Sequence, residues 1–180
     1  ICRESMKKKI DELNNLLTES LSKITETTPK KEIEDSLLDL LIMAYVFGTK
    51  DVSESLKEEV KPDTDKMNKS VYKKIEGKTW VERIGEATTQ EELERIFVTE
   101  SHRCFSDGQW DSAEGRATHK TWVTREDERV RDTHWYIDGL TVGIDEYFYT
   151  LDGDRALRPY GFELASNNIN CRCICRYTKE

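Results

Sequence analysis

Apolar residues recur every three or four positions at the start of the chain: Met6, Ile10, Leu13, Leu17, Leu21 and Ile24. That period puts them on one stripe, so residues 4–26 are predicted to form an amphipathic helix. Thr28-Pro29 marks a second start, because proline is tolerated in the first helical turn and threonine can cap it. From Ile33 to Phe47 the predicted helix is apolar nearly all round, which implies burial against several neighbours. Gly48 is its expected stop. The two helices and their Thr-rich turn form a hairpin.

Val52, Leu56 and Val60 extend the spacing into an acidic segment that Lys61-Pro62-Asp63 breaks. Residues 1–62 are therefore expected to be a helical arm, and residues 63–180 a second part. Short helices are predicted around Met67, Val71 and Ile75 and around Trp80 and Ile84. Thr88 or Thr89 with Glu91 or Glu92 reads as a capping box. The helix behind it turns Leu93, Ile96, Phe97 and Cys104 inward and runs towards Gly108, with a resumption through Trp110 and Ala113.

After Gly115 the period shortens. Lys120–Thr124 alternates like a strand, and Trp135–Ile137 and Leu140–Val142 flank Asp138-Gly139, a tight-turn dipeptide. Residues 143–168 read as loop. Ile169–Tyr177 is the expected last strand, pairing with 120–124 or 135–142. The predicted fold class is α+β: an N-terminal α-helical arm or bundle, then a small β-rich C-terminal domain.

Composition narrows the function classes. Hydrophobic and charged residues each make up 36% of the 180 residues, so part of the chain is expected to be exposed helix or partner-binding surface. The apolar run Leu37–Phe47 is interrupted by Asp39 and is too short to cross a bilayer, so no membrane partner is expected. No charged-then-apolar leader follows Ile1, and no signal peptide is expected. A net charge of -8 argues against condensing duplex DNA. Contact with DNA would be local, through Arg125, Arg129 and Arg131, or indirect. Five cysteines, three of them at Cys171, Cys173 and Cys175, point to a reducing compartment rather than a disulfide scaffold.

On a strand the three clustered cysteines would share one face. Cys171 and Cys173 with His134 offer thiolate and imidazole ligands suited to zinc, though the Cys-x-Cys spacing is shorter than in zinc knuckles. The expected reading is a packed polar clasp without a cofactor, with zinc the alternative. His134 near Asp127, Arg129 and Arg131 could also be the general base of a small metal-dependent or nucleic-acid-processing enzyme. No Gly-x-Ser-x-Gly, phosphate-binding glycine loop or His-Glu-x-x-His accompanies it, so no enzyme is expected. A buried His134 hydrogen-bonded to backbone favours a binding protein; an open pocket containing His134, Arg129 and Arg131 favours the enzyme. Glu100 and Arg103 are spaced for an ion pair along one helix.

A longer ordered set is more specific: Arg95, Thr99, Glu100, Arg103 and Gly108; Trp122; Asp127, Arg129, Arg131 and His134; Asp138-Gly139; and Asn170-Cys171-Arg172-Cys173. Over residues 66–176 this resembles the phage Mu F-like head morphogenesis family, the minor capsid proteins of tailed phages. The resemblance implies a non-catalytic minor head protein present in few copies. It would be associated with the portal, assisting head assembly and the packaging or ejection of DNA. Its place would be the virion head, and the bacterial host cytoplasm during assembly. Some members carry toxin domains beyond the Asn-Cys-Arg-Cys end; the four residues after Arg176 lead us to expect none here. His102 and the third cysteine, Cys175, depart from the family pattern. No catalytic residue is implied. The faces of Met6–Ile24 and Leu37–Phe47, represented by Leu17 and Leu41, are the expected docking surfaces for portal or capsid subunits. A host-side interaction protein of prophage origin is a further alternative.

Overall fold

The computed structural model describes residues 7–180. Met6 and the predicted start of the first helix lie outside them. Among the described residues five helices come first: α1 (Lys8–Ser22), α2 (Lys30–Leu56), α3 (Thr64–Val71), α4 (Trp80–Glu86) and α5 (Gln90–Ala113). Then follow β1 (His119–Val123), the single turn α6 (Asp132–Trp135), β2 (Thr141–Gly143), β3 (Phe148–Tyr149), β4 (Arg155–Ala156), the short α7 (Ala165–Asn168) and β5 (Ile174–Thr178). The fold is α+β, helices first and a small antiparallel sheet last.

Local signals explain most helix starts. Asp63 accepts hydrogen bonds from the backbone N–H of Asp65 and Lys66 at the head of α3. Thr79 with Glu82, and Thr89 with Glu92, form full capping boxes at α4 and α5. Gly48, the expected stop of α2, lies inside that helix, which continues to Leu56 and ends on a left-handed Lys57. Gly48 is needed for a different reason. A Cβ there would collide with the carbonyl oxygen of Phe105 and sit 2.8 Å from the Gln109 nitrogen, while one at Gly108 would collide with the Tyr45 carbonyl. The two glycines let α2 and α5 cross with their backbones nearly touching.

One apolar cluster joins Ile10, Leu13 and Leu17 of α1 and Leu37, Leu41 and Ala44 of α2 to Trp80, Phe97 and Phe105. Leu41 is fully buried and Leu17 is 6% exposed. This corrects the sequence reading: these two residues cannot form a docking surface, because the remainder of the helices already covers them. Of the alternatives arm and bundle, the structure is the bundle. A second cluster gathers Trp122, Ile137, Phe148, Phe162, Cys173 and Tyr177 under the sheet. The ends of α2 and α5 reach it through Val52, Leu56 and Ala113. Helices on both sides of residue 62 therefore share core with each other and with the β-rich end.

The sheet order is β2-β1-β5, all antiparallel, with Trp122 opposite Cys175 and Lys120 opposite Tyr177. Two strand expectations shrink. Residues 135–137 leave α6 as a turn rather than a strand, because His134 and Trp135 both donate backwards to the Arg131 carbonyl. Gly139, at a φ of 76°, then swings the chain into β2. The last strand begins at Ile174, not Ile169. Asn170, at a φ of 56°, reverses the chain just before it.

Candidate functional site

The ordered motif residues converge on one stretch of backbone, residues 167–173. From α5, the Thr99 hydroxyl accepts the Asn170 N–H at 3.1 Å. From the loop after β1, Asp127 takes two hydrogen bonds from the Arg172 guanidinium, at 2.6 and 2.8 Å. Those bonds first, and then the charge itself, pull the Asp127 carboxyl down to about 2. At the head of α6, Arg131 donates to the carbonyls of Asn167 (3.2 Å) and Ile169 (2.6 Å). One turn further, His134 presents Nδ1 to the sulfurs of Cys173 at 3.4 Å and Cys171 at 3.7 Å. The spacing Asp127, Arg131, His134 therefore works as three grips on one segment, one from the loop and two from the turn.

His134 is 1% exposed. Its ring stacks on Phe162 at 5.3 Å and meets the edge of Trp122 at 5.4 Å. Its Nε2 has no hydrogen-bond partner. The Cys171 and Cys173 thiols also interact with each other. The hydrogen bond from Cys173 holds Cys171 well below the usual thiol range, with His134 adding to it, and the same bond and burial push Cys173 well above that range. Trp122 is thus a wall of this cluster, and Asp138 accepts the Thr124 N–H at 2.9 Å to shape the loop leaving β1. Over His134, Cys171 and Cys173 lies a recess of about 10 Å³ rimmed by Arg125, Arg129, Arg131 and Arg172. That is room for about one water, not for a nucleotide or a peptide.

A second group of motif residues builds a buried ionic ladder in α5. Arg103 bonds Glu100 at 2.7 Å and Asp107 at 2.9 Å, as its spacing predicts. Arg83 reaches Glu100 at 3.1 Å, Arg158 reaches Asp107 at 2.6 Å, and Ser70 donates to Asp107 at 2.6 Å. Two carboxylates and three guanidiniums satisfy one another where single charges would be costly. Gly108, one residue on, is the helix-crossing glycine. Arg95 stands apart, in a surface groove with Arg83, Ile96, Thr99 and Ile169.

Sequence reasoning passed over several partners. Tyr160 donates its hydroxyl to the Cys171 carbonyl. Thr133 bonds the Asn167 side chain at 3.1 Å, and Asn167 in turn donates to Asp154 at 3.1 Å and Asp152 at 3.2 Å. Asp154 accepts the backbone N–H of Arg155, Glu163 and Leu164, which pins a loop that lacks strand or helix periodicity. The departure at His102 also has a role: it is buried, pushed down to about 3 by desolvation, and bonds Asn14 of α1 at 2.8 Å.

The chemistry of Asp127 and Arg131 is thus spent on backbone and ion-pair contacts, not aimed at an open cleft. Known proteins agree with the placement of the motif. The family model described as Phage Mu protein F like protein matches residues 51–176. Minor head protein GP7 of Bacillus phage SPP1 is 34% identical over 83 residues, 44% of this chain and 27% of that protein. NAD(+)--arginine ADP-ribosyltransferase EFV of Enterococcus faecalis (strain ATCC 700802 / V583) is 36% identical over 99 residues, 52% of this chain and 20% of that protein. The matched part of the chain thus spans about a quarter of the first relative's length and a fifth of the second's. No solved structure matches. With the interlocked residues all inside a match that covers most of its length, the chain belongs to the phage Mu protein F-like family.

Proposed function

We propose that this chain is a minor head protein of a tailed phage that acts by binding, not by catalysis. It docks on portal or capsid subunits of the head interior and assists head morphogenesis and the packaging or ejection of DNA. It is made in the host cytoplasm and carried in the virion head. The observation that supports this best is the family match over residues 51–176, with the likeness to Minor head protein GP7 inside it. The use of the motif residues agrees, since Asp127, Arg131 and His134 hold the chain's own segment instead of lining a substrate cleft. The likeness to the ADP-ribosyltransferase covers a fifth of that enzyme, and its named activity is not carried over.

Burial of Leu17 and Leu41 moves the docking surface elsewhere. Large apolar side chains that stay exposed concentrate after Trp135, among them Tyr136, Tyr149, Leu151 and Leu164, which are 47–64% exposed. In this reading they meet the portal or capsid subunit. DNA contact is local, at Arg125 and Arg129, or indirect. The test is sedimentation of the purified chain with assembled portal protein and, separately, with capsid subunits of the same phage. Co-sedimentation that Tyr149→Glu with Leu151→Glu weakens at least about tenfold (1.4 kcal/mol) supports the reading. No co-sedimentation with either partner contradicts it.

A further inference from the structure

His134, Cys171 and Cys173 place one ligand atom each within 4.8 Å of one another, and all three residues are buried. We propose that this trio is a zinc site, with three protein ligands and a fourth position taken by water, stapling α6 to the segment that leads into β5. The distances suit the ion. Zinc bonds of about 2.3 Å to sulfur and about 2.05 Å to nitrogen, at tetrahedral angles, put sulfur and nitrogen about 3.5 Å apart. The two distances found, 3.4 and 3.7 Å, bracket that value.

The orientation of the ring is the second observation. His134 aims Nδ1 at two sulfurs at once, an arrangement that one ring proton or one lone pair serves poorly and a shared metal ion serves well. With zinc on Nδ1 the ring proton sits on Nε2, and the ring is held by coordination rather than by a weak thiol hydrogen bond. The third observation is the recess of about 10 Å³ over the trio, which has room for the one water a fourth position needs.

Charge fits too. Two thiolates, one neutral imidazole and Zn²⁺ sum to zero, so the centre adds no charge beneath Arg125, Arg129, Arg131 and Arg172 on its rim. Those guanidiniums favour the thiolate form that the metal requires. Both cysteines bind as thiolates, any proton they still carry passing to solvent as the ion binds; no electron moves. The spacing objection also weakens. Cys171 and Cys173 lie ahead of β5 on irregular backbone, not on a regular strand, and the left-handed Asn170 and the Tyr160 bond to the Cys171 carbonyl set their direction. This proposal stands apart from the head-protein reading, and either can fail alone.

The test is metal content of the full chain purified under reducing conditions without chelator, together with the absorption spectrum after Co²⁺ replaces Zn²⁺. We expect about one zinc per chain, and a cobalt spectrum with thiolate charge transfer and four-coordinate d–d bands. Cys173→Ser loses both signals, whereas Cys2→Ser, Cys104→Ser and Cys175→Ser keep them. A folded, reduced wild-type chain with far less than one zinc and no thiolate band on adding cobalt overturns the site. So does loss of metal from folded Cys2→Ser or Cys175→Ser. If Cys173→Ser does not fold, the wild-type spectrum and the Cys2→Ser control decide.

Discussion

Asp127 and Arg172 are joined by two hydrogen bonds across 45 residues of chain, and that fork closes the C-terminal segment onto the loop after β1. The Asp127 side chain is 41% exposed, so solvent weakens the pair, and its contribution is at most about 1 kcal/mol. The direction with pH is firm. Asp127 is held at about 2, below its unfolded value, so its stabilisation is complete above about pH 4 and is lost as pH falls through about 2. Acid unfolding followed by circular dichroism should show Arg172→Ala losing stability at pH 6 while its acid limb becomes shallower than wild type. An acid limb identical in slope would show that the pair does not couple to folding.

The crossing of α2 and α5 has no room for a Cβ at either glycine. Gly48→Ala or Gly108→Ala puts a methyl group into a facing backbone carbonyl, which no side-chain rotation can relieve. Each substitution should cost about 3 kcal/mol or more in urea unfolding. By contrast Gly85→Ala, in open space within α4, should be neutral or stabilising by about 0.5–1 kcal/mol.

Arg103 is 2% exposed and bonded to two carboxylates. Removing it in Arg103→Ala leaves Glu100 and Asp107 with one guanidinium each, from Arg83 and Arg158, but strips Glu100 Oε2 of both its hydrogen bonds and opens a cavity in a dry site. The expected loss is about 3–5 kcal/mol. Arg103→Lys, which cannot span both carboxylates with a planar fork, should fall between.

Asp51 of α2 is buried, and desolvation pushes its carboxyl up to about 7 despite the hydrogen bond it accepts from Gln109. A raised carboxyl binds its proton in the folded state over a range where the unfolded chain has released it. Stability should therefore fall as pH rises from about 4 to about 7 through this group. Asp51→Asn should flatten that slope and, at pH 8, gain on the order of 1–3 kcal/mol. Thermal melts of both proteins at pH 5 and pH 8 measure it.

The helical half was readable because its signals are local. The three-to-four period of Ile10, Leu13 and Leu17 and the Thr89–Glu92 box each act within a few residues. Gly48 misled because a glycine can end a helix or admit a neighbour, and only α5, some 60 residues on, decides which. Leu17 and Leu41 misled for the same reason: an apolar face says that something covers it, not what. At the site, the Glu100–Arg103 pair and the approach of His134 to Cys171 and Cys173 followed from spacing and strand pairing. Thr99 to Asn170, Thr133 to Asn167 and Tyr160 to Cys171 did not, since each joins residues that only the tertiary fold brings together. Residues 143–168, expected as loop, carry β3, β4 and the short α7 instead, but these elements are too short to show a period, so Asp154 and Asn167 carried no signal that set them apart.

The proposed function has this chain carried in phage heads through binding. Quantitative mass spectrometry of gradient-purified, DNA-filled particles of the phage or induced prophage that encodes it measures this directly. We expect the chain in few copies relative to the major capsid protein, depleted when Tyr149→Glu and Leu151→Glu are introduced together and present in normal amount with a neutral change such as Gly85→Ala. Purified particles that lack the wild-type chain altogether would contradict it.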